Sequence, residues 1–154
     1  MTEFERQAWR RGDAVPAWVT WGLREPEEYI VTVNVDGREW TATARDVFSA
    51  LVEVRNQLDA QGILLGVEGS RLQSYPSGMM RDMGAGLSVL RLEMGRPSRR
   101  EDFRDIFAEA PLDELATVAD QKQFFDGWLN SLGRATLARV VEPAGYEISG
   151  GIGT

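Results

Sequence analysis

Residues 29–44 read YIVTVNVDGREWTATA and contain the clearest local structure in the sequence. On both sides of Asp36-Gly37, apolar and polar residues alternate, as they do in strands that bury one face. Asp-Gly is typical of the two-residue type I′ turn, in which both central residues have a positive φ. The stretch therefore predicts an antiparallel hairpin in which Val33 faces Trp40.

The residues that follow the hairpin predict a helix and further strands. Apolar side chains recur at helical spacing from Val47 to Leu58, and Gly62 ends the pattern. Apolar runs at 63–67 and 87–92 predict two more strands, the first of them in the interior of the sheet. This order predicts an α+β fold: a single-layer antiparallel or mixed sheet of about four to five strands, with helices packed on one face.

Apolar residues recur at helical spacing in three other segments. We expect a short amphipathic helix at 3–11 and a helix at 102–108. A longer helix is expected at 118–132, with Thr117 or Asp120 as its cap.

Chain length and composition indicate one ordinary globular domain. The chain has 154 residues, of which 43% are hydrophobic and 27% charged. We expect residues 1–142 to form a single α+β domain with a short strand at 136–141, and the glycine-rich residues 143–154 to form a flexible tail. No apolar run approaches the roughly 18 residues that a membrane span requires, so a cytoplasmic protein without a membrane partner is expected.

The chain contains neither cysteine nor histidine. This composition excludes disulfides, thiolate zinc sites and the Ser-His and Cys-His nucleophile pairs. Any catalysis would have to use carboxylates, hydroxyls, arginines or Lys122. The sequence therefore predicts no metal site, no cofactor and no catalytic residues.

Most of the net charge of −7 comes from one region of the chain. Between residues 101 and 126, eight acidic residues stand against two basic ones, which gives a local charge of −6. Such a surface repels nucleic acid and attracts a basic protein. The carboxylates that we expect to face a partner are Asp102, Asp105, Glu109, Asp113 and Glu114. The alternative is a solvated face that only keeps the protein soluble.

The connection at 68–86 is the only long segment between two predicted core strands. It holds four glycines, one proline, two arginines and three methionines. Long ordered loops often carry function, and methionine and arginine suit an adaptable binding surface. The candidate binding residues are Arg71, Tyr75, Ser77, Met79, Arg81 and Asp82. The alternative is a structural loop in which Met79 and Met83 dock on the core and Arg81 pairs with a carboxylate.

Several phrases of the sequence resemble a family of small bacterial proteins associated with the immunity partners of polymorphic or contact-dependent toxins. The phrases are Tyr75-Pro76-Ser77-Gly78-Met79 and Arg81-Asp82-Met83-Gly84, both within 66–86, together with Asp105-Ile106-Phe107 and 118–128. The resemblance implies a protein that binds and neutralises a toxin domain. It supplies no enzymatic residues.

The favoured function is a cytosolic protein-binding module that inhibits a basic toxin domain, acting as a monomer or a homodimer. An inhibitor needs a stable scaffold and complementary charge, but no catalytic groups. The alternative is a small enzyme or ligand-binding domain in which the arginines of 68–86 hold an anionic substrate. A third possibility is a structural homo-oligomer whose copies meet through the N-terminal tryptophans.

Overall fold

The computed structural model describes residues 1–133, which form an α+β fold. Eight strands divide into a five-stranded and a three-stranded antiparallel sheet, accompanied by three α-helices. The α+β class and the antiparallel sheet that the sequence predicts are confirmed. The strand predicted at 136–141 and the tail predicted at 143–154 lie outside the described residues.

The larger sheet is built from the N-terminal half of the described chain. Its strands are β1 (Thr2–Arg10), β2 (Asp13–Glu25), β3 (Glu28–Val35), β4 (Arg38–Ala44) and β5 (Ile63–Leu65). Their order is β4-β3-β2-β1-β5, which makes β4 and β5 the edges. The prediction of an interior strand at 63–67 is therefore wrong. This run is apolar because helix α1 (Val47–Asp59) and the segment at 106–110 cover it, not because strands flank both its sides.

The central hairpin has the predicted register. Val33 pairs with Trp40 across β3 and β4. Asp36 and Gly37 have φ values of 53° and 80°, so both turn residues lie in the left-handed region that a type I′ turn requires. The side chain of Asn34 accepts a hydrogen bond from the Gly37 amide at 3.2 Å, which further fixes the turn.

The helix predicted at 3–11 is wrong, because these residues form β1. This strand pairs with β2 from Thr2 to Arg10, and the two strands meet at a turn where Arg11 has a φ of 51°. Phe4 and Ala8, four positions apart, would share one face of a helix, but they share one face of a strand as well. Pairing with β2 along the whole segment selects the strand, so tertiary context decides the structure.

Helix α1 packs on one face of the larger sheet, as predicted. The Asp46 side chain caps its first turn by accepting a hydrogen bond from the Ser49 amide at 2.8 Å. The core between helix and sheet includes Phe48, Leu51, Val54 and Leu58 from α1 and Val19, Val31 and Val33 from the strands. The periodic apolar pattern of the sequence thus sets the packing of this half.

The second half of the described chain contains the smaller sheet and two helices. These elements are β6 (Ser74–Tyr75), β7 (Ser88–Arg91), β8 (Phe103–Asp105), α2 (Gly78–Met83) and α3 (Val118–Ser131). The helix predicted at 118–132 is confirmed, and the Thr117 hydroxyl caps it by accepting from the Asp120 amide. None of the described helices is long and apolar enough to cross a membrane.

The helix predicted at 102–108 is wrong. A 3₁₀ turn at Arg100–Asp102 leads directly into β8, and the chain then makes a turn at 106–107. The Ile106 amide donates to the Leu87 carbonyl at 3.0 Å, and the Ile106 carbonyl accepts from the Gly69 amide at 2.8 Å. The backbone therefore bonds to neighbouring segments, and the apolar spacing that suggests a helix reflects burial between them.

Candidate functional site

The connection at 68–86 is a folded part of the protein. It contains a 3₁₀ turn at Glu68–Ser70, the short strand β6 and helix α2. The Ser77 hydroxyl caps α2 by accepting a hydrogen bond from the Met80 amide at 3.1 Å. Ser77, a predicted binding residue, therefore has a local structural function.

A buried carboxylate organises the beginning of this connection. Glu68 is 2% exposed and accepts hydrogen bonds from Arg71 at 3.0 Å, Ser74 at 2.8 Å and Arg91 at 3.1 Å. Burial alone would raise the pKa of Glu68. The hydrogen bonds from Arg91 and Ser74 and the charges of Arg71 and Arg91 outweigh burial and lower the pKa below its ordinary value. Glu68 is therefore ionised at neutral pH.

Arg71 does not lie on an open binding surface. The residue is 6% exposed, and its guanidinium contacts the carboxylates of Glu68 and Glu114. An anionic substrate would have to displace one of these carboxylates to reach Arg71. The arginine instead joins the connection at 68–86 to the segment that carries Glu114.

A second buried polar cluster joins α1, α3 and the same connection. Arg55 donates to the Gly69 carbonyl at 3.0 Å, to the Ala116 carbonyl at 2.8 Å and to the Gln121 side chain at 2.7 Å. The Gln121 amide in turn donates to the carbonyls of Gly69 and Arg71. Burial lowers the pKa of Arg55 to about 10, so the guanidinium keeps its charge at neutral pH.

Neither Arg55 nor Gln121 was among the predicted site residues, although the sequence contains one signal for Arg55. This arginine follows Leu51 by four positions and precedes Leu58 by three, which places it on the apolar face of α1. A charged side chain on a buried helix face needs buried partners. Gln121 carries a similar signal on α3, because it follows Val118 by three positions and precedes Phe125 by four.

Tyr75 and Arg81, two of the predicted binding residues, lie together around a packed aromatic cluster. The Tyr75 ring stacks on Phe125 with centroids 4.1 Å apart and meets the edge of Phe48 at 5.2 Å. The Arg81 guanidinium lies 5.1 Å from the Phe48 centroid and 5.5 Å from that of Tyr75. Helix α2 also leaves side chains exposed, and these are Met79, Asp82 and Met83.

The predicted acidic surface divides into one buried and four exposed carboxylates. Asp102 is buried, accepts from the Arg99 amide at 2.7 Å and forms a salt bridge with Arg96. Burial alone would raise the pKa of Asp102, but the Arg99 amide and the Arg96 guanidinium outweigh it and lower the pKa. Asp102 therefore holds its own turn together and is not part of the exposed acidic surface.

Four other carboxylates remain exposed on residues 105–114, which we name the acidic segment. They are Asp105, Glu109, Asp113 and Glu114. The segment lies along residues 66–72 through backbone hydrogen bonds, including those from Glu68 to Ala108 at 2.7 Å and from Leu72 to Glu114 at 2.9 Å. The carboxylates are therefore presented on a backbone that the buried clusters hold in place.

Two of the grooves on the surface of residues 1–133 lie beside the large sheet, and neither is lined by Arg71, Tyr75 or Arg81. One, of about 480 Å³, lies between β1 and the acidic segment; its lining consists of Glu5, Arg6, Gln7, Trp9, Pro16, Gly66, Glu109, Ala110 and Pro111. The other, of about 340 Å³, lies at the hairpin tips; its lining consists of Arg10, Arg11, Val35, Asp36, Arg38, Trp40, Gln61 and Ile63. The first groove joins the acidic segment to the large sheet.

Comparison of the chain with protein-family models and with curated proteins gives no match. Within residues 1–133, no group of three or more carboxylates is arranged to hold a metal ion. The assignment of a function therefore depends on the geometry and charge of this chain itself.

Proposed function

We propose that the protein is an acidic protein-binding module that inhibits a basic partner, in the manner of the toxin-immunity proteins that its sequence resembles. The observation that supports this proposal is the acidic segment. Its exposed carboxylates lie on a backbone of strand, turn and 3₁₀ segments that is hydrogen-bonded along residues 66–72. Charge is thus concentrated on a surface that needs no reordering before a partner binds.

Rigid backing distinguishes this surface from an ordinary solvated face. The acidic segment is joined to the domain by the Arg71–Glu114 salt bridge, and the Arg55 hydrogen bond to Ala116 holds the chain just beyond its end. A preorganised acidic surface accelerates encounter with a basic protein and disfavours acidic competitors. Both properties are those that an inhibitor of a basic toxin requires.

The alternative of a small enzyme that uses the 68–86 connection has less support. Arg71 is occupied by Glu68 and Glu114, and the Tyr75 ring is packed between aromatic neighbours. Of the residues proposed to hold an anionic substrate, only Arg81 combines a positive charge with partial exposure.

The decisive experiment measures binding kinetics against a partner captured from the native host. Association should slow as salt rises from about 50 to about 500 mM, while dissociation changes less, because rim charges act mainly on encounter. The variant Glu109→Gln/Asp113→Asn should slow association further. Its matched control is Glu53→Gln, which neutralises an exposed carboxylate on α1.

Association that does not depend on salt would contradict the proposal. An equal loss of association rate per neutralised carboxylate in the double variant and in Glu53→Gln would also contradict it, because net charge alone would then explain the effect.

A further inference from the structure

The large sheet has a second face, directed away from α1, whose side chains stay accessible within residues 1–133. In β2, Ala17 and Val19 are fully buried under the helix, whereas Pro16 and Trp18 are exposed. Trp18 is 48% exposed, an unusual state for a tryptophan in the middle of a sheet. We name this surface the open face.

One register row crosses the open face on four adjacent strands. Glu5 pairs with Trp18, Trp18 with Asn34, and Asn34 with Glu39. Residues paired in this way lie on the same face, on strands about 4.8 Å apart. The Trp18 indole is therefore flanked by Glu5, and Glu39 ends the row two strands away.

Three carboxylates of the open face have no cationic partners in the described chain. Glu3, Glu5 and Glu39 form no salt bridge with any residue of 1–133. In contrast, Glu114 on the acidic segment is paired with Arg71. The open face thus combines an exposed indole with unpaired negative charge.

The groove of about 480 Å³ connects this face to the acidic segment. Glu5, Trp9 and Pro16 line its sheet side, and Glu109 lines the opposite side. Arg6 also lines the groove, but its guanidinium already donates to the carbonyls of Phe107 and Glu5, both at 2.8 Å. The open face and the acidic segment therefore form one continuous surface.

We propose, on the basis of the function proposed above, that an arginine- or lysine-rich segment of the partner protein docks across the open face at Trp18. A guanidinium over the Trp18 ring gains a cation–π interaction while Glu5 and Glu39 complement its charge. A second copy of this chain fits the open face less well, because the carboxylates of that copy would repel Glu5 and Glu39. The indole binds the partner, and the acidic segment extends the contact.

The test uses a deca-arginine peptide and the full-length, ¹⁵N-labelled protein. The five tryptophans give separate indole NMR signals that report on different sites. Titration with the peptide should shift the Trp18 and Trp9 indoles and the amides around Glu5 and Glu39. The indole of Trp128, which is buried and donates to the Arg96 carbonyl, should not move.

A pair of variants measures the contribution of the indole. Trp18→Thr should weaken peptide binding about fivefold, the loss expected for an exposed cation–π contact. Leu23→Thr is the control, because it removes an exposed apolar side chain from the opposite face of the same strand. Circular dichroism checks that both variants fold, and the titration of the unaltered protein decides the question if Trp18→Thr does not fold.

Several results would overturn the docking site. If the peptide shifts only residues 105–114, the open face is not used, although the proposed function stands. If the peptide binds nowhere, the proposed function fails as well. Trp18 signals that change with protein concentration would assign the face to a second copy. Nuclear Overhauser contacts from Trp18 to residues 134–154 would assign it to the chain itself.

Discussion

The two halves of the described chain bury different kinds of residue. In residues 1–65, the buried side chains are apolar apart from Asp46 and Arg55. In residues 66–133, the buried polar side chains are Glu68, Ser70, Arg71, Ser74, Asp102 and Gln121. The first half is thus stabilised mainly by apolar packing, and the second depends in addition on hydrogen-bonded charges.

This difference separates the scaffold from the part that positions the acidic segment. Apolar packing tolerates rearrangement, because one apolar contact replaces another at small cost. A buried carboxylate such as Glu68 must keep every partner, because an unpaired charge inside a protein is costly. We infer that the polar half fixes the location of the acidic segment more strictly than apolar packing would.

The largest expected effects are losses in the free energy of unfolding, and we compare one substitution from each half. Glu68→Gln should lower the free energy of unfolding by about 3 kcal/mol, because it leaves Arg71 and Arg91 without their buried partner. Leu58→Ala should cost about as much, roughly 3 kcal/mol, by opening a cavity under α1. Urea denaturation followed by circular dichroism measures both.

The pH dependence of stability distinguishes the two variants. The pKa of Glu68 lies below its ordinary value of 4.5 in the folded protein. Its stabilising contribution is therefore fully present above about pH 4.5 and is lost as the pH falls through the lowered pKa. Leu58→Ala should keep the acid sensitivity of the unaltered protein, whereas Glu68→Gln should reduce it. Identical profiles would show that Glu68 contributes no ionic stabilisation.

The next effect tests how closely the two halves approach each other at Gly66. A Cβ added there would lie 2.6 Å from the Gln7 carbonyl oxygen and 2.8 Å from the Trp9 ring. Gly66→Ala should therefore destabilise the protein by about 2 kcal/mol, as overpacking does. The control is Gly127→Ala in α3, where a Cβ fits and a gain of under about 1 kcal/mol is expected. Equal losses of stability in Gly66→Ala and Gly127→Ala would contradict this close approach.

The sequence predicts residues 29–58 better than the rest of the described chain for a physical reason. From Tyr29 to Leu58, alternation and helical spacing follow directly from burial on one face, so the hairpin and α1 are predicted correctly. Ile106 and Phe107 are buried by several separate segments, so their spacing imitates a helix that does not exist. At β1, the apolar spacing fits either structure, and only pairing with β2 decides between them.

The predicted site residues show the same limit. The sequence indicates that Arg71, Tyr75 and Arg81 are chemically suited to binding, but burial and pairing depend on segments far away in the chain. Arg71 meets Glu114 across 43 positions, a contact that no local pattern reveals. In a strand, alternation places Trp18 on the opposite face from Ala17 and Val19. The sequence does not show which of the two faces is covered, so it does not identify Trp18 as exposed.

A smaller effect is expected at the hairpin turn, in the apolar half. Gly37→Val should cost about 1 kcal/mol or more, because the φ of 80° disfavours a β-branched side chain. Gly37→Asn should cost less, since asparagine adopts the left-handed region more readily. Thermal denaturation of the two variants makes the comparison, and an equal melting temperature for the valine variant and the unaltered protein would count against a strained turn.

The smallest expected effects on stability distinguish Asp102 from Asp113, two carboxylates that the sequence predicts to be equally exposed to a partner. Asp102 accepts from the Arg99 amide and pairs with Arg96, so Asp102→Asn should cost about 1 kcal/mol at neutral pH. Because the pKa of Asp102 lies below its ordinary value of 3.8, this cost should disappear as the pH falls through the lowered pKa. Asp113 is exposed, and Asp113→Asn should change stability by less than about 0.5 kcal/mol.

Chemical denaturation at neutral and acidic pH gives the stabilities, and association rates with the captured partner give the functional effect. Association should slow for Asp113→Asn, whereas correctly folded Asp102→Asn should associate at the unaltered rate. The reverse pattern would place the partner at the turn of Arg100–Asp102 and away from the acidic segment.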